Sequence, residues 1–120
     1  MQEFERLKVR LREFAEERDW DQFHSPKNLS MALIAEAAEL VEHFQWLTQA
    51  QSNNVSEEQL AEIELELADI LLYLIRIADK LHVDLIQAAF KKIDINAQKY
   101  PVHKARGKSD KYTAYRDDDE

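Results

Sequence analysis

The sequence predicts an all-α fold. Glycine occurs once and proline twice in 120 residues, too few for many short strands joined by tight turns. Leu, Ala, Glu, Lys, Gln and Arg dominate, and all are good helix formers. Apolar residues recur every three or four positions, the spacing of one face of a helix. The length fits one domain. A chain this short buries a limited fraction of its surface, so self-association is the expected supplement.

Four helices account for most of the chain. Phe4, Leu7, Leu11 and Phe14 are helically spaced and predict a first helix from about Gln2 to Arg18. A polar, aromatic-rich loop, Asp19 to Asn28, holds Trp20, Phe23, His24 and Pro26. The second helix is expected from about Leu29 to Gln49, followed by a polar linker, Gln51 to Val55. Ser56-Glu57-Glu58-Gln59 is a capping-box pattern and opens a third helix that reaches about Leu81. Asp84 with Gln87 opens the fourth, which ends near Lys99, ahead of Pro101. Residues 1–101 are therefore read as the helical domain, and 102–120 as a polar, irregular tail partly docked through Tyr112 and Tyr115.

Composition removes several function classes. Without cysteine there is neither a disulfide framework nor a thiolate metal site. The first ten residues, MQEFERLKVR, lack the apolar core of a signal peptide. The longest apolar run, Ile70 to Ile75, is far too short to span a bilayer. A soluble, cytoplasmic protein is expected. A net charge of −8 disfavours nucleic acid polymers, since no basic surface is available to displace counterions. The run Asp117 to Glu120 accounts for part of this acidity as ordinary solubilising charge.

Other carboxylates stand in unusual places. On a helical wheel, the third helix is apolar on most sides, which predicts a buried central helix. One polar stripe remains, carrying Glu62, Glu66, Asp69, Tyr73, Arg76 and Lys80. The second helix has an apolar face with Glu36, Glu39 and His43 along one edge and Trp46 a turn beyond. Glu36 with Glu39, and Glu66 with Asp69, are i, i+3 pairs, each stacked on one face. Like charges this close repel, and burying any of them alone is costly. Arg76 and Lys80 are available to offset them; a hard divalent cation with oxygen ligands does so better. A solvated charged face is the bland alternative, and spacing by itself leaves the two readings level. A di-iron bundle would need a Glu-x-x-His on each of two helices. His43 lies at i+4 from Glu39, and no histidine follows Asp69 closely. The oxygen-only set favours Mg²⁺ or Mn²⁺.

Glu36-Ala-Ala-Glu39 followed by Glu66-Leu-Ala-Asp69 resembles the ExxE…ExxD motif of the MazG-like all-α nucleoside triphosphate pyrophosphohydrolases. The segments Glu17 to His24, Pro26 to Leu29, Phe44 to Trp46, Leu71 to Leu74, Tyr100 to His103, Arg106-Gly107 and Lys111 to Thr113 are similar to the dCTP pyrophosphatase branch of that family. The resemblance implies a four-helix MazG-like bundle, assembled by helix packing into a homodimer or homotetramer. It implies hydrolysis of (deoxy)nucleoside triphosphates, dCTP or modified dCTP foremost, to the monophosphate and pyrophosphate. The cellular task implied is clearing unwanted nucleotides.

By matching position, Glu36, Glu39, Glu66 and Asp69 would be the metal ligands, with Glu36 or Glu39 as general base. Lys92, Asn96 and Lys99 form one stripe of the fourth helix and would meet phosphate or sugar. His24, Trp46 and Tyr73 match positions associated with the nucleotide pocket. A dUTP- or phosphoribosyl-ATP-directed hydrolase is the alternative within enzymes. A non-catalytic helical dimerisation module is the alternative outside them.

Overall fold

The computed structural model describes residues 2–109, and every described element of regular structure is helical. The described residues form six α-helices, α1 (Gln2–Glu17), α2 (Pro26–Glu42), α3 (Gln49–Ser52), α4 (Glu57–Lys80), α5 (Leu85–Lys99) and α6 (Val102–Ala105), and a 3-10 turn at Asp21–Phe23. The four long helices are those expected. The chain forms two compact units, one up to Val83 and one from Asp84 onward. Tyr112, Tyr115 and the acidic run Asp117 to Glu120 lie outside the described residues.

In the first unit, α4 runs along α2 and also meets α1. Its core is small: Ala15, Leu29, Ile63, Ile75 and Ala78 are the buried apolar side chains. The wheel of α4 predicted burial on most sides. In the single chain, Leu60, Leu67, Leu71 and Leu74 instead form an exposed apolar stripe, and Met31, Ile34 and Val41 are exposed on α2.

Helix α1 and helix α4 end in the same way, and neither uses glycine. After α1, Asp19 takes a left-handed φ of 54°, while Asp19 N–H donates to Glu16 O and Trp20 N–H to Ala15 O. After α4, His82 takes φ 56°, with His82 N–H donating to Asp79 O and Val83 N–H to Ala78 O. This pair of bonds is the Schellman stop, which satisfies the last carbonyls of a helix.

Helix α2 begins three residues earlier than Leu29. Ser25 accepts a hydrogen bond from Asn28 N–H at 3.1 Å, and Pro26 occupies the first helical position, where its missing N–H costs nothing. The helix also ends earlier than Gln49, at Glu42. Thr48 and Gln51 form a reciprocal capping box that opens α3. Thr48 is extended there (φ −72°, ψ 165°), so α2 cannot pass through it. Part of the expected linker is consequently helical, as is Val102–Ala105 in the segment expected to be irregular. The predicted caps of the other two helices are present: Ser56 with Gln59 before α4, and Asp84 accepting from Gln87 N–H before α5.

Candidate metal centre and adjoining cavity

Pairing α2 with α4 brings their carboxylates face to face. Glu36, Glu39 and Glu66 each offer an oxygen, and these oxygens lie within 4.8 Å of one another. The helical period explains the trio. Glu36 and Glu39 stack one turn apart on α2, and Glu66 meets them from α4. Asp69 is exposed and lies a further turn along α4, outside this trio. It shares with Glu36 the lining of a neighbouring cavity.

The trio carries an electrostatic penalty. Its pairing with Glu36, then burial, then Glu39 push the Glu66 carboxyl up to about 7. One Glu66 oxygen, Oε2, is sealed from solvent and has no hydrogen-bond partner. An orphaned buried acceptor is costly. A hard divalent cation fits the arrangement: all donors are oxygens, they converge, and one lacks a partner.

Arg76 and Lys80, expected as possible counter-charges to these carboxylates, are engaged elsewhere. Both bind Asp21 of the 3-10 turn, Arg76 Nη2 at 2.9 Å. Arg76 also lies 3.8 Å from Asp79. The reason is the direction of the stripe. By about two and three turns beyond Asp69, the polar edge of α4 has reached the segment that follows α1. Between them, Lys80 first and Arg76 second hold the Asp21 carboxyl below its usual range. Their role was not legible without knowing where Asp21 returns to the helix.

Beside the trio lies a cavity of about 430 Å³, all of it within the first unit. Leu7, Leu11, Phe14 and Leu72 make an apolar wall, and Trp20, His24, Glu36, Asp69, Tyr73 and Arg76 also line the cavity. The Trp20 ring stands edge-on to Phe14, with centroids 5.7 Å apart, and is tilted against His24 at 6.3 Å. Burial, then Glu36 and Asp69, raise the Tyr73 phenol above its ordinary value and keep it a neutral donor. A concave apolar pocket with a few convergent polar groups is the usual form of a small-molecule site.

The structure places His24 and Tyr73 on the lining of the cavity. Trp46 is different. It lies beyond the end of α2, is 87% exposed and does not line this cavity, because the helix that would have carried it stops at Glu42. Trp20 is the tryptophan of the cavity. Its signal was the aromatic-rich loop, but periodicity cannot say where a loop side chain points. His43 caps the end of α2 and approaches Glu62 at 4.0 Å. Lys92, Asn96 and Lys99 occupy α5 in the second unit, with Asn96 and Lys99 half-buried and Lys92 exposed.

Fold and site define an all-helical protein with an acidic cluster, of a kind that could hold a cation, carried by two helices beside an apolar pocket. The MazG-like family model matches residues 32–114, and the chain belongs to that family. It is 48% identical over 103 residues to dCTP pyrophosphatase 1 of Rattus norvegicus and, to the same extent, of Homo sapiens. Those matches cover 84% of this chain and 61% of the relatives, so the chain spans about three fifths of their length. The crystal structure of a pyrophosphatase from Archaeoglobus fulgidus superimposes with a TM-score of 0.77 at 40% identity, covering 81% of this chain and 91% of that one. No helix among the described residues is long and apolar enough to cross a membrane.

Proposed function

We propose that this protein hydrolyses nucleoside triphosphates, dCTP or a modified dCTP foremost, between the α and β phosphates, releasing the monophosphate and pyrophosphate. The observation that carries the reading is the trio Glu36, Glu39 and Glu66, whose oxygens converge within 4.8 Å while Glu66 Oε2 lacks any partner. The names of the relatives, dCTP pyrophosphatase 1 and a pyrophosphatase, agree with it.

In this reading Glu36, Glu39, Glu66 and Asp69 hold Mg²⁺, or Mn²⁺ in its place. The bound cation supplies charge neutralisation of the phosphates and acidifies a water. Glu36 or Glu39 takes the proton of the attacking water as general base. His24, Tyr73 and the Trp20 side of the cavity receive the nucleoside, where stacking tolerates different bases. Lys92, Asn96 and Lys99 of α5 are assigned to phosphate or sugar, and Trp46, which stands outside this cavity in the single chain, to the base. Phosphoryl chemistry depends mainly on positioning and electrostatics, which a few carboxylates and lysines provide.

A homodimer or homotetramer in the cytoplasm completes the proposal. Exposed Leu60, Leu67, Leu71 and Leu74, in one stripe of α4, support self-association.

The test is pyrophosphate release from dCTP with Mg²⁺, comparing the wild type with Glu66→Gln and Asp69→Asn. Loss of release in both variants is the expected result. Unchanged release would discard the site, and orthophosphate as product would discard α–β cleavage. Absence of any Mg²⁺-dependent thermal shift with a non-hydrolysable deoxynucleotide would favour the dimerisation module.

A further inference from the structure

Arg76 is 5% exposed, unusual for an arginine. Its Nη2 donates to Asp21 Oδ1 at 2.9 Å and lies 3.4 Å from His24 Nδ1. Its Nε is buried without a partner, so the terminal nitrogens carry the bonding of this side chain. A guanidinium has donors and no acceptor, and it stays charged. At this contact the imidazole must therefore be the acceptor, so His24 Nδ1 carries the lone pair. A neutral imidazole then has its proton on Nε2, the nitrogen facing away from Nδ1 across the ring. Burial first, then Arg76 and Lys80, push His24 below its ordinary value, which favours the neutral ring.

We propose that Arg76 is a positioning residue that holds His24 as the Nε2–H tautomer, presenting a hydrogen-bond donor to the cavity lined by Glu36 and Asp69. The inference rests on the pyrophosphohydrolase reading for its ligand, and the donor suits a lone-pair oxygen of the nucleotide. Asp21 completes the device. It receives Arg76 and Lys80 together, tying the turn that carries His24 to α4. Carboxylates at the rim can only accept when ionised, so a fixed imidazole donor gives the cavity a complementary group. Without Arg76, the ring is free to exchange tautomers and to present a lone pair instead.

Long-range ¹H–¹⁵N correlation of the histidine rings in the full, nucleotide-free chain at about pH 8 tests this, with His24 assigned by His24→Gln. The wild type is expected to show Nε2 protonated and Nδ1 bare. Arg76→Met is expected to show a mixture of tautomers and a KM for dCTP raised about three- to tenfold, the value of one hydrogen bond. A wild-type Nδ1–H tautomer overturns the proposal, and it does so even if Arg76→Met fails to fold. A folded Arg76→Met protein with an unchanged tautomer or unchanged KM overturns it as well. The ring spectrum needs no turnover. An inactive wild type with the Nε2–H tautomer would refute the pyrophosphohydrolase reading and leave the Arg76–His24 relationship standing.

Discussion

Arg12 of α1 and Asp79 of α4 meet in a two-point ion pair, with Arg12 Nε donating to Asp79 Oδ2 at 2.7 Å and Nη2 to Oδ1. The fork matches the carboxylate plane, the geometry that makes arginine pairs specific. Arg12 stands half in solvent, whereas only 10% of the Asp79 side chain is exposed. The pair therefore acts as a clasp between helices at the end of the unit where the 3-10 turn also docks.

Acid should open that clasp. The Arg12 hydrogen bond, against some opposition from burial, lowers the Asp79 carboxyl below its ordinary value of 3.8. The unfolded chain then binds the proton more readily, so this stabilisation is complete above 3.8 and fades as pH falls through the lower folded value. Asp79→Asn is expected to be less stable than the wild type at neutral pH, with the gap in urea midpoint closing below about pH 3.8. A gap independent of pH would mean that the pair contributes nothing through its charge.

The Glu66 carboxyl predicts the opposite slope. Its folded value of about 7 lies above the ordinary 4.5, so the metal-free folded protein holds a proton that the unfolded chain has released. Stability contributed by that proton is present below 4.5 and is lost as pH rises to about 7. In chelator, Glu66→Gln should be more stable than the wild type above pH 7, measured by thermal melting. Adding Mg²⁺ should raise the wild-type Tm more at pH 8 than at pH 6, because the cation competes with the proton. Equal shifts at both pH values would count against the trio as the cation site.

Helix stops without glycine leave stability unused. Asp19 and His82 adopt φ of 54° and 56°, a region that costs an L-residue roughly 1 kcal/mol. Asp19→Gly and His82→Gly are each expected to stabilise the protein by about 0.5–1 kcal/mol. Urea denaturation reads the change. A decrease in either variant would show that the side chain does more at that position than the strain costs.

The exposed stripe of α4 makes its own prediction. Leu67→Glu with Leu71→Glu puts charge on side chains that are 52% and 42% exposed in one chain. Sedimentation velocity should then report a shift toward monomer relative to the wild type. An unchanged, monomeric wild type would remove the homo-oligomer from the proposed function.

Much of this architecture was written in local pattern. The capping boxes of α4 and the Asp84 cap of α5 are four-residue signals, and their helices begin where those signals stand. The stacking of Glu36 on Glu39 followed from helical period alone. What escaped were features set by competition or by return of the chain. Thr48-x-x-Gln51 has the same form as Ser56-x-x-Gln59, but the preceding apolar run suggested one longer helix, and Trp46 was carried along with it. Pro26 looked like a loop residue and is the first residue of a helix. Arg76 and Lys80 shared a stripe with Glu66 and Asp69, yet their partner Asp21 is more than fifty positions away. No periodicity encodes that pairing.

The carboxylate trio spans two helices, with Glu36 and Glu39 on one and Glu66 on the other. Leu29 on α2 and Ile63 on α4 are both buried in the unit in which those helices pack together. In the proposed site the apolar core is thereby also a gauge: the width it sets is the width across which an ion would be gripped. Trimming or enlarging a core residue such as Ile63 would then retune which ionic radius fits, with no ligand altered. Size selectivity among divalent cations would then be a property of the packing.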